Sequence, residues 1–454
     1  MRLKIFALAL ILVAIVPYRT EAQSSERKST FEQFIESIDS SDYQDSNHKE
    51  SKGQLTLKQA IHMALSKNPE LTSYSLEIQA REAQIPQSKL LPNPEIEIEV
   101  ENFYGNKNLR GFGGAESSLS VSQTIELGGK RLKRGKVSSL ERDMANWDYT
   151  AKRQDVVTDV IISFIDVLAE QERLVIIEEL VRLAEQSLNT ASAMVQAGKV
   201  SPIDEMKAKA SLSSAQIELK RANRSLDAAR KRLAALLGEP APAFARAAGK
   251  LEAEASIPAF DELYPNISAN PDIARWTTEK EQRTAILNLE RANRIYDPAV
   301  RFGLRRFHDT DETAFTAGIT IPLPFFNRNQ GGIKQAAIRQ AKAQNERKAA
   351  ELKTSASLSE AYAMLSSSFE EWTSLKSDIL PQLQSAYDAI SEGYRYGKFG
   401  YLDVLDTQRT LFESNIRYID ALVSYKKAFA GVYRLIGGGE LKMTEAEKGE
   451  KDER

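Results

Sequence analysis

Two periodicities alternate along this chain. In Glu95-Ile96-Glu97-Ile98-Glu99-Val100-Glu101 every second residue is apolar and every intervening one is a carboxylate, the period-two pattern of a strand with one apolar and one polar face. Residues 118–127 place Leu119, Val121, Ile125 and Leu127 on one face, against serines, Thr124 and Glu126. Further on, Val300, Phe302 and Leu304 alternate with Arg301 and Arg305, and Phe315, Ala317, Ile319, Ile321 and Leu323 with Thr316, Gly318 and Thr320. Such faces suit a transmembrane barrel, whose strands run about 9–11 residues. A half-buried soluble sheet shows the same alternation, and alternation alone leans to that reading because the barrel signal is weak per strand.

The helical period dominates elsewhere. From about residue 131 to 197 there is no proline, and Gly135 is the only glycine, which predicts one helix of about 100 Å at 1.5 Å per residue. The segment after it carries Leu212, Leu219, Leu226 and Leu233 interleaved with Ala208, Ala215, Ala222, Ala229 and Leu236, a heptad that calls for close left-handed packing on a neighbouring helix. Leu411, Tyr418, Tyr425 and Val432 stand at the matching positions near the C-terminus, and Pro381 predicts a kink in the long helix before them. Shorter helical stretches are expected over about 56–90 and 260–295. Helices this long cannot bury their sides in one small globule.

These elements occur twice. Gly198-Lys199 recurs as Gly397-Lys398, Ile203-Asp204 as Leu402-Asp403, and Leu236-Leu237-Gly238 as Leu435-Ile436-Gly437, each 199 positions on. Asn68-Pro69-Glu70-Leu71 likewise matches Asn270-Pro271-Asp272-Ile273. The chain divides into a first repeat over 55–250 and a second over 251–439, each ordered as helix, two strands, long helix, tight turn and return helix. Before them, Arg2 and Lys4, an apolar run over residues 5–16 and Thr20-Glu21-Ala22 form an export signal over 1–22. Residues 23–54 read as a flexible polar leader and 440–454 as a charged tail.

Composition removes most chemistry. Cysteine is absent, which excludes disulfides, thiolate catalysis and a lipidated N-terminal cysteine. The three histidines, His48, His62 and His308, show no metal-ligand spacing, and no nucleophile–base pair stands out. A net charge of −2 gives no footprint for nucleic acid. No catalytic residue, cofactor or bound metal is expected. After the signal no segment is long or apolar enough for a membrane helix, so a membrane span must be built of strands. Four strands cannot close, since membrane barrels start at eight; three chains would supply twelve.

At this point Glu392-Gly393-Tyr394-Arg395-Tyr396-Gly397, followed by Tyr401-Leu402-Asp403-Val404-Leu405-Asp406, resembles the signature of the TolC superfamily of outer-membrane factors. Ala197-Gly198-Lys199-Val200-Ser201-Pro202-Ile203-Asp204 is its degenerate partner in the first repeat. Leu91-Pro92-Asn93-Pro94 and Glu126-Leu127-Gly128-Gly129-Lys130-Arg131 are similar to the CzcC-type branch, which serves heavy-metal efflux pumps of the resistance-nodulation-division (RND) class. Many members of that branch carry a lipidated N-terminal cysteine, which this chain lacks.

The resemblance implies a mainly α chain with a small β portion, in a TolC-like homotrimer. Its 12-stranded β-barrel, four strands per chain, would sit in outer-membrane lipid and continue into a long periplasmic α-helical barrel. The helical turns would form a periplasmic tip docking on an adaptor, the membrane fusion protein, which links to an inner-membrane RND-type pump. The implied function is passive efflux of heavy-metal cations. Organic compounds, drugs or polypeptides of type I secretion remain open as cargo. A periplasmic adaptor is the alternative with one helical hairpin, and a secreted coiled-coil scaffold the one without strands.

Candidate residues follow from position. Gly198 and Gly397 close the long helices, and Ser201 and Pro202 fit an N-cap and first-turn proline; with Tyr401 they form the expected tip and adaptor-docking set. Asp204 and Asp403 suit first-turn carboxylates. Asp406 lies one turn beyond Asp403 on the same face, so these three are candidates for a pore gate with cation preference, against plain capping or solvation. Glu95, Glu97, Glu99, Glu101, Arg301 and Arg305 would face the barrel lumen, where solvation and cross-strand ion pairing are the first roles. Tyr394, Tyr396 and Phe399 join Tyr401 at the tip, with packing the expected role.

Overall fold

In the computed structural model, residues 53–251 and 256–437 are described; the export signal, most of the polar leader and the charged tail lie outside them. The elements run β1 (Gln54–Leu55), α1 (Leu57–Lys67), α2 (Pro69–Ser88), β2 (Glu95–Glu101), β3 (Glu116–Thr124), α3 (Lys130–Gln196), α4 (Pro202–Leu236) and β4 (Arg246–Ala247). They continue with α5 (Phe260–Leu263), α6 (Pro271–Asn293), β5 (Ala299–Phe307), β6 (Glu312–Thr320), α7 (Gln330–Ser374), α8 (Leu380–Arg395) and α9 (Tyr401–Leu435).

The early helical stretch of each half is two elements rather than one. Asn68 and Asn270 each cap a new helix that opens on a proline, whose missing N–H is no loss in a first turn. Asn68 Oδ1 accepts the Glu70 N–H at 2.8 Å while its Nδ2 donates to the Leu236 carbonyl at 3.1 Å. Asn270 repeats this, with Oδ1 accepting from Asp272 N–H at 2.8 Å and Nδ2 donating to the Leu435 carbonyl at 3.0 Å. One buried asparagine in each half therefore satisfies the start of one helix and the end of another.

The four strands form one antiparallel sheet in the order β2-β3-β5-β6. Ile98, Leu119, Leu304 and Phe315 stand in register across it, as do Ile96, Val121, Phe302 and Ala317. This face is bare: Ile98 is 75% exposed and Phe315 92%. The opposite face carries Glu97, Ser120, Gly303 and Thr316 in one row and Glu99, Ser118, Arg305 and Ala314 in the next. With β2 and β6 unpaired at the edges, the sheet is an open segment needing further strands. The ladders end at Thr124 and Thr320, short of Leu127 and Leu323, although the Ile125 N–H still reaches the Pro298 carbonyl at 2.9 Å.

Helix α3 runs unbroken for 67 residues, about 100 Å. Its counterpart α7 stops at Ser374; a π-helical turn over Leu375–Ile379 follows, and α8 begins with Pro381 in its first turn. Proline removes one N–H and crowds the preceding carbonyls, and the wider turn accommodates that locally. On α4 the alanines rather than all the leucines make the seam. Ala208, Ala215, Ala222 and Ala229 are buried with Leu226 and Leu233, whereas Leu212 and Leu219 are half-buried. The largest core joins Phe164, Ile165 and Val160 of α3 to Tyr425, Phe429 and Val432 of α9, with Leu57 and Ala60 of α1 against them. Beside it β1 and β4 pair in parallel, and the Gln171 side chain bonds both the N–H and the carbonyl of Ala247.

Candidate functional site: helical tip and polar sheet face

Two turns reverse the chain at the far end of the helices. Gly198, at φ +67°, lets its own N–H reach the Val195 carbonyl and the Lys199 N–H reach the Met194 carbonyl, each at 2.9 Å. Gly397, at φ +74°, repeats this with Tyr394 and Gly393 as acceptors. These left-handed closures satisfy the last carbonyls of the long helices. The restarts differ. Ser201 Oγ accepts the Ile203 N–H at 3.3 Å, with Pro202 in the first turn of α4. Gly400 has no side chain to offer, and Asp403 reaches back instead, Oδ2 accepting the Gly400 N–H at 2.8 Å.

Tyr401 is 2% exposed, so it lies inside the tip and not on its surface. It packs on Tyr394 with ring centroids 5.7 Å apart, among Tyr387, Val404, Ala191 and Ala208. Neither the Tyr394 nor the Tyr401 hydroxyl has a hydrogen-bond partner. Burial pushes the Tyr401 phenol up to about 12, reinforced by Tyr394, Asp204 and Tyr387. Burial also raises Tyr394, with the Asp204 charge a second cause. Asp204 is thus half-buried against these rings, while Asp403 and Asp406 stand exposed on α9, Asp406 3.6 Å from Arg409. The outer surface of the tip includes Ile203 (58% exposed), Met206, Leu402 and Tyr396. Of these, Ile203 and Leu402 lie within the tip motifs without having been singled out as surface residues, and Met206 lies outside the motifs. For Ile203 and Leu402 the signal was an apolar residue beside an aspartate in both repeats, Ile203-Asp204 and Leu402-Asp403.

On the polar sheet face Arg301 pairs with Glu97 at 2.9 Å, and Arg305 with Glu116 at 3.0 Å and Glu101 at 3.4 Å. Arg305 Nε also donates to Ser118 Oγ at 3.1 Å. Glu116 was not among the residues expected on this face because it lies two residues before the alternating run begins. Glu95 and Glu99 have no cation within 4.0 Å among the described residues. Glu312 joins them, in register with Glu116 through Phe307, so six carboxylates share this face with two guanidiniums, and the surplus is negative.

An open sheet with one bare apolar face and one charged face, continuous with helices of about 100 Å, defines one segment of a barrel-and-tube duct. The chain belongs to the outer membrane efflux protein family, whose model matches residues 60–239 and 267–438. It is an outer-membrane efflux channel protein, a transport protein and not an enzyme, reaching from the outer membrane into the periplasm. Channels of this family are trimers within tripartite efflux systems.

Among its relatives is the cobalt-zinc-cadmium resistance protein CzcC of Cupriavidus metallidurans, 37% identical over 390 residues, which cover 86% of this chain and 91% of that one. The nickel-cobalt-cadmium resistance protein NccC of Alcaligenes xylosoxydans is 27% identical over 63% of this chain and 64% of its own. The fold matches crystal structures of CusC, with a TM-score of 0.70 at 20% identity over 84% of this chain and 92% of that one. VceC from Vibrio cholerae matches with a TM-score of 0.69 at 16% identity, over 84% and 96% of the two chains.

Proposed function

We propose that this chain is the outer-membrane duct for divalent heavy-metal cations, delivered by an inner-membrane RND-type pump through a periplasmic adaptor. The observation that carries the reading is the 37% identity, along 86% of the chain, to a protein named for cobalt, zinc and cadmium resistance. The duct is passive, as a member of a non-enzymatic channel family, and the pump supplies the energy. Cations pass as hydrated ions, favoured by the carboxylate surplus on the lumen face and by Asp403 and Asp406 where the tip narrows. Two such positions in each of three chains make stacked acidic rings. Asp204 adds negative charge from behind, through the tyrosines. The adaptor seats on the tip, where exposed Ile203, Met206, Leu402 and Tyr396 supply apolar anchors and Gly198, Ser201, Pro202 and Gly397 hold the turns that present them.

The test is cellular metal content in a deletion strain and its complemented parent, challenged with zinc, cobalt, cadmium, nickel, copper and silver. Raised accumulation of a subset, reversed by complementation, is the expected result. No change for any metal, with redundant ducts deleted, overturns the metal reading and moves the cargo to organic compounds.

A further inference from the structure

Where the sheet meets the helices, α3 and α6 leave between them a cleft of about 780 Å³. Its walls carry four cations, Lys133 and Lys136 from α3 and Lys280 and Arg291 from α6, against one carboxylate, Glu281. Lys133 donates to the Gly128 carbonyl at 2.5 Å. Lys136, Lys280 and Arg291 are exposed and have no carboxylate within 4.0 Å among the described residues. Like charges line one cleft here without an ion-pair partner, at a cost that an anionic ligand would relieve. Gly129 begins α3 with no side-chain cap, so the positive end of a 67-residue helix adds to the field beside Gly128.

The register of β3 decides which side of the wall the cleft occupies. Glu126 shares its parity with Ser118, Ser120 and Ser122 on the polar, luminal face, and Arg134 of α3 clasps Glu126, one bond at 2.9 Å. Lys136 follows two positions later, about 200° around the helix, and so points to the opposite, outer side. Leu132, one turn before Lys136, is 71% exposed there. Above it stand Ile125 and Leu127, exposed and in phase with the outward apolar rows. The cleft therefore lies on the outer wall, immediately below the apolar band and at its periplasmic rim. Because α3 is flanked by α2 and α6 by α7, it falls in the middle of the protomer's face, away from the edges where neighbouring chains join.

We infer that this cleft is a binding site for the headgroup of an anionic phospholipid of the periplasmic leaflet. The lipid headgroup lies in the cleft lined by Arg291, Lys136 and Lys280, with Arg291 nearest the sheet and Lys280 about 16 Å further along α6, and its acyl chains rise along Leu132, Leu127 and Ile125. A phosphate with acyl chains satisfies both halves of the surface, basic below and apolar above; a free anion satisfies only the lower half. The bound lipid would hold the barrel at a set depth.

The experiment uses the full-length trimer, delipidated in detergent and examined by native mass spectrometry. Dioleoyl-phosphatidylglycerol and dioleoyl-phosphatidylcholine are offered together in equal amounts. The wild type is expected to retain phosphatidylglycerol preferentially. Lys136→Gln, Lys280→Gln and Arg291→Gln are each expected to lower that retention by up to about fivefold, and Glu281→Gln to raise it, a gain that misfolding cannot produce. The trimer mass in the same spectra reports assembly. Equal retention of the two lipids, or unchanged retention in the triple variant, overturns the proposal. So does thermal stabilisation by inorganic phosphate without lipid retention, which would make the cleft a soluble-anion site.

Discussion

Lys130 and Asp297, 167 positions apart in the chain, meet at 2.7 Å where the sheet passes into the helices. The second carboxylate oxygen of Asp297 accepts the Leu127 N–H at 2.8 Å. The contact joins the first half of the chain to the second at the junction of barrel and tube. It also offsets an unfavourable placement, since Lys130 is a cation in the first turn of α3, at the positive end of the dipole. Both side chains are largely covered, at 10% and 20% exposure.

Asp297→Ala is therefore expected to destabilise by about 2–3 kcal/mol, because it strands a largely buried ammonium and an N–H together. Replacing both partners, Lys130→Met with Asp297→Leu, should recover most of that loss. Heat-modifiable migration of the trimer checks it; a double variant as unstable as Asp297→Ala would contradict the pairing.

Gly238 and Gly198 both adopt positive φ, at +78° and +67°, but in different surroundings. A Cβ on Gly238 would lie 2.7 Å from the Lys67 carbonyl oxygen, a backbone atom, whereas one on Gly198 meets nothing within 4 Å. Gly198→Ala should cost only the backbone term, about 1 kcal/mol, and Gly238→Ala clearly more. Denaturation midpoints of the two variants give the order directly.

Tyr401→Phe should be neutral or mildly stabilising at neutral pH, since it removes a buried hydroxyl with no partner. Its phenol is pushed from the usual 10 up to about 12 in the folded state. The folded form thus holds the proton more tightly than the unfolded form. The stability this represents is complete below pH 10 and is lost as pH rises through 12. Tyrosinate absorbance should show a phenol titrating late in the wild type and missing from Tyr401→Phe.

Replacing Asp403 and Asp406 together with alanine should lower cation-over-anion permeability in planar bilayer recordings. The single variants separate two roles. Asp403→Ala also removes the bond from the Gly400 N–H and should cost about 1 kcal/mol of stability, while Asp406→Ala should change permeability alone. Unaltered selectivity in the double variant would rule out the acidic gate.

Much of the architecture was legible because each feature has a local cause. The Glu-Ile alternation of 95–101 reads directly as a two-faced strand, and the proline-free run in the first half reads as one helix. Pro381 marks the interruption in the second half, although its form as a π turn over Leu375–Ile379 was not readable. Gly198 and Gly397 were legible as helix ends because a left-handed residue is needed there. The motif did not reveal which tip residues face inward. Tyr401 belongs to the same aromatic cluster as Tyr396, yet one is buried and the other is 73% exposed.

What the sequence determined by itself is whatever depends on neighbours within a few positions: strand parity, helix length, caps and turns, with the tip turns recurring 199 positions on and the asparagine caps 202. Only the tertiary structure decided which distant groups meet. Asn68 and Leu236 recur as Asn270 and Leu435, but the hydrogen bond between them appears only when α4 and α9 return to the starts of α2 and α6. Arg305 finds Glu116 and Glu101 only through the β2–β3 and β3–β5 registers, and Lys136, Lys280 and Arg291 line one cleft only because α3 and α6 lie side by side. The physical reason is one of range. Backbone preferences act over one or two turns of chain, whereas an ion pair or a cleft is set by a separation in space that no spacing along the chain encodes.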